Sequence, residues 1–379
     1  DRLRSRGLGD VYKRQIVLGA MTFASCNEWT ETEALNYEPN GGVGSSHGDA
    51  YYANLREYKK SDHTIAFGWF SDWTGTGTQM TSQLMGLPDS MDLVSMWGNW
   101  NNLSLEKKED LRKVRELKGT KVMMCFIIDH IGAQTTPPEI EETLTVDGVP
   151  YQSIAEARAA FWGWYQDSDS YWEGSPHYGD SSPEGIEKAI RKYARSILDT
   201  VRKYQWDGFD FDLEPGSYGG NISMYPERIN ILLDELSKEL GPQSGTGKLL
   251  CVDGAPETLL SEDCQKIDYF IFQAYGDNRY EAIDERIDGL YNRFRRYMDM
   301  EEIVSKTILC ANFESYGSTG GGTLINRDGI TTTKVAGYAA YSYPGVDAKI
   351  GGFGAYRIGF DPGYQYTRQA IGVANPVIK

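Results

Sequence analysis

Three acidic residues recur at every second position in the run from 207 to 215, which reads DGFDFDLEP. Side chains alternate between the two faces of a β-strand, so Asp210, Asp212 and Glu214 share one face at a spacing of about 7 Å. Three acids on one side of an otherwise apolar strand cost free energy unless a function uses them. Neighbouring carboxylates can raise the pKa of one carboxyl group at the expense of the others, which is what a general acid requires. The column of acids therefore indicates acid catalysis.

The elements that position this column form a regular alternation of strands and helices. Helical periods lie between many of the apolar runs, most clearly at Pro183–Tyr204 with Ser182 as N-cap, and also at Pro226–Leu240 and Glu281–Met298. The strand-like runs are Thr64–Phe70, Asp92–Trp97, Lys121–Ile128, Gly208–Leu213, Leu249–Asp253, Tyr269–Tyr275, Thr307–Phe313 and Ile350–Tyr356. Eight such strands predict a single α/β domain with the (β/α)8 TIM-barrel fold.

In a barrel of this kind, the C-terminal ends of the strands converge on one mouth that carries the active site. The side chains at those ends that we expect to contact a substrate are Trp69, Trp97, Asp129 and Tyr356. Each aromatic side chain can also be explained by packing alone, and Asp129 can instead cap the turn that follows it. The segment 131–180 is long for one connection, so we expect it to be functional or to carry small elements of its own.

Residues 207–214 match the D-G-x-D-x-D-x-E signature of glycoside hydrolase family 18, which the chain resembles over about residues 50–379. The run Gly351–Tyr356 is similar to the closing strand of that family. The resemblance implies a (β/α)8 barrel that hydrolyses bonds between N-acetylglucosamine (GlcNAc) units. It also implies retention of configuration, because the 2-acetamido oxygen of the substrate attacks C1 and forms an oxazolinium ion.

The resemblance also implies a role for each site residue. Glu214 would protonate the glycosidic oxygen and then act as the base for water. Asp212 would accept a hydrogen bond from the acetamido N–H, and Asp210 would lie beneath it and tune its charge. Tyr275 would donate a hydrogen bond to the acetamido oxygen, and Gln273 would belong to the same catalytic group. No metal or cofactor is implied.

The sixth strand departs from the chitinase pattern of the family. It carries Gln273-Ala274-Tyr275-Gly276 where chitinases have Met-x-Tyr-Asp, and Tyr356 replaces their closing-strand Trp. The S-x-G-G pattern of the chitinase third strand is also absent. Gln-x-Tyr resembles bacterial endo-β-N-acetylglucosaminidases, so the expected substrate is the GlcNAc-β1,4-GlcNAc core of N-glycans. The alternatives are a chitinase-like hydrolase of GlcNAc oligomers and a non-catalytic glycan-binding protein.

The N-terminal region precedes the predicted catalytic domain, residues 51–379. Residues 1–15 carry five basic and two acidic side chains and resemble translated sequencing-adapter sequence. Residues 16–26 resemble a lipoprotein signal-peptide remnant whose lipobox, FASC, would place a lipid on Cys26. Residues 27–50 are polar and glycine-rich, as in a flexible tether. We therefore expect an exported lipoprotein of a Gram-negative bacterium, at the outer membrane or cell surface, or a periplasmic protein.

The overall charge and the cysteines exclude two further classes of function. The chain has 54 acidic and 38 basic residues and a formal charge of −16, which argues against a nucleic-acid partner. Cys125, Cys251 and Cys310 lie in apolar runs and are predicted to be buried free thiols, and Cys264 adds no metal-binding spacing. The expected partner is a GlcNAc-containing glycan bound by a monomer, with membrane contact only through the lipid.

Overall fold

The protein is described by a computed structural model over residues 47–166, 175–216 and 220–376. Eight parallel strands close into a barrel, each paired with its neighbours in sequence and the last paired with the first. They are β1 (Ile65–Phe70), β2 (Leu93–Trp97), β3 (Lys121–Ile127), β4 (Gly208–Leu213), β5 (Leu249–Gly254), β6 (Tyr269–Phe272), β7 (Thr307–Asn312) and β8 (Gly352–Tyr356). The (β/α)8 prediction is confirmed, with all eight strands at the predicted places.

Helices surround the barrel and follow the sequence pattern closely. They are α1 (Asp49–Tyr58), α2 (Leu105–Lys113), α3 (Pro138–Thr143), α4 (Ile154–Trp162), α5 (Pro183–Tyr204), α6 (Pro226–Leu236), α7 (Tyr280–Phe294), α8 (Met300–Lys306), α9 (Phe313–Tyr316), α10 (Lys334–Ala339) and α11 (Gln365–Ala374). The predicted cap of α5 is present, since the Ser182 side chain accepts from the Gly185 N–H. Helices α6 and α7 each end four residues earlier than predicted. Within the described residues, none of the helices is long and apolar enough to cross a membrane.

Two connections of the barrel, β1 to β2 and β5 to β6, contain short 3₁₀ turns instead of an α-helix. The first of them is fixed by Asp110, a buried residue of α2. Its carboxylate accepts from Trp73 Nε1 at 2.7 Å and from the backbone N–H groups of Leu84 and Met85 at 2.7 and 3.0 Å. A single side chain therefore replaces the packing that a connecting helix would provide.

We expect Asp110→Ala to lower the free energy of unfolding by about 3–5 kcal/mol, because three buried donors lose their acceptor. Urea denaturation followed by tryptophan fluorescence measures the change. The matched control is Glu109→Ala, one residue earlier on the same helix, whose side chain is exposed and should matter little. Equal stability of the two variants would show that Asp110 does not hold this connection.

The barrel interior is filled by aromatic rings, thiols and aliphatic side chains. Its buried members are Phe67, Trp69, Leu93, Met123, Cys125, Cys251, Ile271, Ile308 and Cys310. The strand β8 contributes glycines, and a Cβ at Gly354 would lie 2.4 Å from the Phe67 carbonyl oxygen. All four cysteines of the described residues are buried and free, which confirms the prediction of buried thiols.

The N-terminal region and the long connection after β3 were also predicted from the sequence. The structure describes the chain from residue 47, so residues 1–15, the segment 16–26 and the predicted lipid site at Cys26 lie outside the described residues. Helix α1 begins at Asp49, so the last two residues of the predicted tether are helical. The long connection after β3 does carry small elements of its own. They are α3, α4 and two short antiparallel strand pairs, Thr145–Val146 with Val149–Pro150 and Trp164–Gln166 with His177–Gly179.

Candidate active site

The predicted column of acids runs up the inner face of β4 toward the mouth of the barrel. Asp210 is fully buried, and its Oδ2 accepts hydrogen bonds from Trp69 Nε1 at 3.1 Å and from Ser95 Oγ at 2.7 Å. Asp212 lies one layer higher and is 2% exposed. Glu214 follows the strand end and is half-buried, so it reaches the space where a substrate would lie. The three acids therefore lie at successive levels of the barrel, with Asp210 deepest and Glu214 at the mouth, as the alternation along the strand predicted.

A fourth carboxylate, Asp253, stands beside the column on β5. The strands β4 and β5 pair in register, with Asp212 directly opposite Asp253. The side-chain amide of Gln273 bridges three of the acids, because its Nε2 lies 2.7 Å from Asp253 Oδ1, 3.1 Å from Glu214 Oε1 and 3.3 Å from Asp212 Oδ1. Gln273 thus connects the acids of two strands at one point.

Burial without a compensating cation governs the protonation of these acids. Within the described residues, the side chains that donate hydrogen bonds to Asp210, Asp212 and Asp253 are neutral ones and include no lysine or arginine. Burial raises the pKa of Asp210. Burial and the charge of Glu214 raise the pKa of Asp212 to about 8. Burial and the charges of its two Asp neighbours raise the pKa of Asp253 well above its usual range. The group therefore holds protons at neutral pH.

Tyr275 stands at the mouth on a short segment that follows β6. The sixth strand was predicted to continue to Tyr275, which is wrong, because β6 ends at Phe272 and the chain turns there with a hydrogen bond from the Ala274 N–H to the Phe272 carbonyl. Two buried donors of α10 hold the segment: Lys334 Nζ bonds the Tyr275 carbonyl at 2.6 Å and Tyr338 Oη bonds the Ala274 carbonyl at 2.5 Å. Burial raises the pKa of Tyr275, which keeps its hydroxyl a hydrogen-bond donor.

These residues surround a cavity of about 150 Å³ at the mouth, smaller than the roughly 300–1,000 Å³ typical of ligand pockets. Its lining consists of Trp69, Trp97, Ile127, Asp212, Glu214, Asp253, Gln273, Tyr275 and Tyr356. The acids form one wall. The aromatic rings of Trp97 and Tyr356 belong to the other, with their centroids 5.9 Å apart in an edge-to-face arrangement. A cavity of this size can accept one small polar group with part of a ring.

The structure distinguishes among the predicted substrate contacts. Trp97 and Tyr356 line the cavity and are half-buried. Trp69 also lines it but is almost fully buried, and its indole N–H supports Asp210. Asp129 lies away from the lining: its carboxylate bonds His130, and its carbonyl accepts from the Ile222 N–H. This geometry favours the interpretation that Asp129 caps the turn that follows it.

Sequence reasoning missed several residues that build the site. Asp253 was visible as the one acid that ends the apolar run 249–253, but its pairing with Asp212 depends on strand register. No pattern in the sequence indicated that Ser95 or Lys334 contributes to the site. Arg357, directly after β8, adopts a left-handed backbone with φ of +53° and bonds Ser71 Oγ at 3.1 Å, which joins the ends of β1 and β8 behind the mouth. Such conformations in a non-glycine residue are concentrated at functional sites.

The chain was compared with known families and proteins. A family model described as "Glycoside hydrolase family 18, BT1044-like" matches residues 30–149 and 164–373. Endo-β-N-acetylglucosaminidase F2 of Elizabethkingia meningoseptica is 25% identical over 252 residues. That match covers 63% of this chain and 58% of the relative, so the chain spans less than two thirds of that protein's length.

Solved structures share the fold over most of the chain. A structure of BT1044, in a selenomethionine form with a glutamate-to-glutamine substitution, is 29% identical and superposes with a TM-score of 0.69. It covers 87% of this chain and 93% of its own. The apo endo-β-N-acetylglucosaminidase of Cordyceps militaris is 22% identical with a TM-score of 0.55 and covers 89% and 99% of the two chains. This second similarity shows the fold alone.

Proposed function

Since this chain belongs to glycoside hydrolase family 18, we propose that it is a glycosidase, namely an endo-β-N-acetylglucosaminidase that cuts the GlcNAc-β1,4-GlcNAc bond in the core of N-glycans. The observation that carries the proposal is the cavity, which is lined by Glu214, Asp212 and Tyr275 and faced by an aromatic wall. The similarity to endo-β-N-acetylglucosaminidase F2 and the Gln273-x-Tyr275 pair both favour N-glycans over chitin.

The arrangement of the acids supports a substrate-assisted reaction. Glycosidases that use an enzyme nucleophile place two carboxylates on opposite sides of the scissile bond, about 5–5.5 Å apart. Here Asp212 and Glu214 share one strand face and both accept from Gln273 Nε2, so both lie on the same side of a bound sugar. Among the described residues, the facing wall of the cavity is aromatic. The nucleophile that fits this geometry is the acetamido oxygen of the substrate itself.

Each group then has a definite task in the first step. Glu214 protonates the glycosidic oxygen as the bond to C1 breaks, and the acetamido oxygen closes the oxazolinium ring. Asp212 accepts the acetamido N–H and stabilises the positive charge that develops on the ring, while Tyr275 donates to the acetamido oxygen. In the second step, Glu214 removes a proton from the water that opens the ring at C1. Two inversions at C1 give net retention.

Mass spectrometry of the products of a mixed panel tests the proposal. The panel contains a ribonuclease B-type high-mannose glycoprotein, a complex-type glycoprotein and chitooligosaccharides. We expect glycans that have lost one GlcNAc, with that GlcNAc left on the asparagine. Release of chitobiose from chitooligosaccharides, with both glycoproteins untouched, would replace the proposal with a chitinase-like activity. Binding of glycans without any product would replace it with a glycan-binding role.

A further inference from the structure

We propose that Asp253 is a positioning residue for this reaction: as a neutral acid, it donates a hydrogen bond to Asp212 and anchors the side-chain amide of Gln273. The proposal rests on the proposed function, because it assigns Asp253 a part in the same site. The D-G-x-D-x-D-x-E signature does not include Asp253, which comes from a different strand.

The amide of Gln273 has fewer hydrogens than it has carboxylate neighbours. The side-chain amide of Gln273 has two N–H bonds. Its nitrogen nevertheless lies within 3.3 Å of oxygens on three carboxylates, and the shortest of these contacts, 2.7 Å, is to Asp253. Two hydrogens cannot satisfy three ionised carboxylates at once. One of the acids must therefore supply a hydrogen of its own.

Asp253 is the acid that supplies this hydrogen. Asp253 is 1% exposed and directly opposite Asp212, while Glu214 is half-buried at the mouth. Asp253 is the acid closest to the amide nitrogen of Gln273, and burial with no cation beside it raises its pKa well above the usual range, so we assign the proton to Asp253 and make it the donor to Asp212. The proton therefore resides on an acid that is more shielded from water than Glu214.

The surroundings of Asp253 hold its side chain in place. Cys125 Sγ on β3 lies 3.8 Å from its Oδ2, and Gly254 after it has φ of +88°, a backbone conformation that side chains rarely adopt. A Cβ at Gly254 would meet the Leu213 carbonyl oxygen at 2.4 Å. The turn after Asp253 therefore fits tightly against β4.

The titratable groups that face Asp253 come from three strands and the segment after β6. They are Asp210, Asp212 and Glu214 from β4, Cys125 from β3, Cys310 from β7 and Tyr275. Each is an acid or a neutral donor at neutral pH, so none supplies a positive charge that would favour ionised Asp253. A neutral Asp253 can support Asp212 without adding a negative charge beside it, which leaves Asp212 free to accept the acetamido N–H.

The test compares Asp253→Asn, which keeps a neutral donor of the same shape, with Asp253→Ala, which removes it. We expect kcat to fall less than about fivefold in Asp253→Asn and about 30- to 100-fold in Asp253→Ala, the effect of losing a buried hydrogen bond and its anchored partner. Asp268→Asn is the matched control, since Asp268 is also a partly buried acid but bonds the Leu250 N–H outside the cavity. It should keep wild-type kcat.

The pH dependence of kcat/KM separates positioning from packing. Loss of the donor raises the pKa of Asp212, so the acid limb should move to higher pH by about one unit in Asp253→Ala and stay in place in Asp253→Asn. If Asp253→Ala does not fold, Asp253→Ser replaces it, since its hydroxyl is too short to reach Asp212. An equal loss in the Asn and Ala variants with unmoved acid limbs would overturn the proposal.

An infrared measurement tests the protonation without any activity. At about pH 9, above the pKa of Asp212, the wild type should show the C=O stretch of a protonated carboxylic acid that Asp253→Asn lacks and Asp268→Asn keeps. Identical spectra for wild type and Asp253→Asn would reject a neutral Asp253. A wild type that shows this band but cleaves no glycan would instead reject the proposed function, so the two failures are distinguishable.

Discussion

Replacement of Glu214 by glutamine is expected to lower kcat by about 10²–10⁴-fold, the usual contribution of a positioned acid or base. Glutamine has nearly the same shape as glutamate, and its carbonyl oxygen can still accept from Gln273 Nε2 as Glu214 Oε1 does at 3.1 Å. It can neither protonate the glycosidic oxygen nor remove a proton from water. Both chemical steps should therefore slow down while the shape of the cavity is preserved.

Single-turnover kinetics on an N-glycopeptide measure this loss, and calorimetry on the same variant measures binding of the intact substrate. We expect binding within a few-fold of wild type, because the variant loses a proton donor and keeps the walls of the cavity. Glu257→Gln is the matched control: Glu257 lies in the first 3₁₀ turn after β5 and is exposed. A Glu214→Gln variant that retains more than a tenth of wild-type kcat would show that another group is the general acid.

The sequence predicted the architecture because the physical signals of the barrel are local. Strands covered on both faces need apolar residues throughout, and helices need a stripe every three to four residues, so both can be recognised within a short window. The column at Asp210, Asp212 and Glu214 could be recognised for the same reason, since one strand carries all three. Its orientation toward the mouth then followed from the fold.

The partners of the column could not be predicted in the same way, because they come from other strands. Asp253 faces Asp212 only through the register of β4 and β5, and a shift of one residue would turn it away from the barrel interior. Gln273 follows the inward-facing Ile271 by two residues, but its contact with the acids depends on how β6 pairs with β5, which a single strand does not reveal. Lys334 acts on Tyr275 from a helix 59 residues away in sequence. Such contacts belong to the tertiary structure.

Asp212→Asn should reduce kcat by about 10²–10³-fold, comparable with the loss of one preorganised group that stabilises transition-state charge. The asparagine side chain carries no negative charge to stabilise the developing oxazolinium ion. Its N–H group would also compete with the acetamido N–H for the same acceptors. Measurement of kcat on the N-glycopeptide gives the loss. A variant with more than a third of wild-type kcat would assign charge stabilisation to another group.

Stability measurements on the same variant show whether that loss comes from chemistry or from unfolding. The pKa of Asp212 lies at about 8 in the folded protein, above its ordinary value of 3.8. Between these pH values the folded state holds a proton that the unfolded state has released, so Asp212 makes the wild type less stable as the pH rises from about 4 to about 8. Asparagine does not titrate. The variant should therefore match the wild type in free energy of unfolding near pH 4 and gain on it with increasing pH, by at most about 1.4 kcal/mol per pH unit. Constant or falling relative stability across this window would show that Asp212 is ionised throughout and that burial does not raise its pKa.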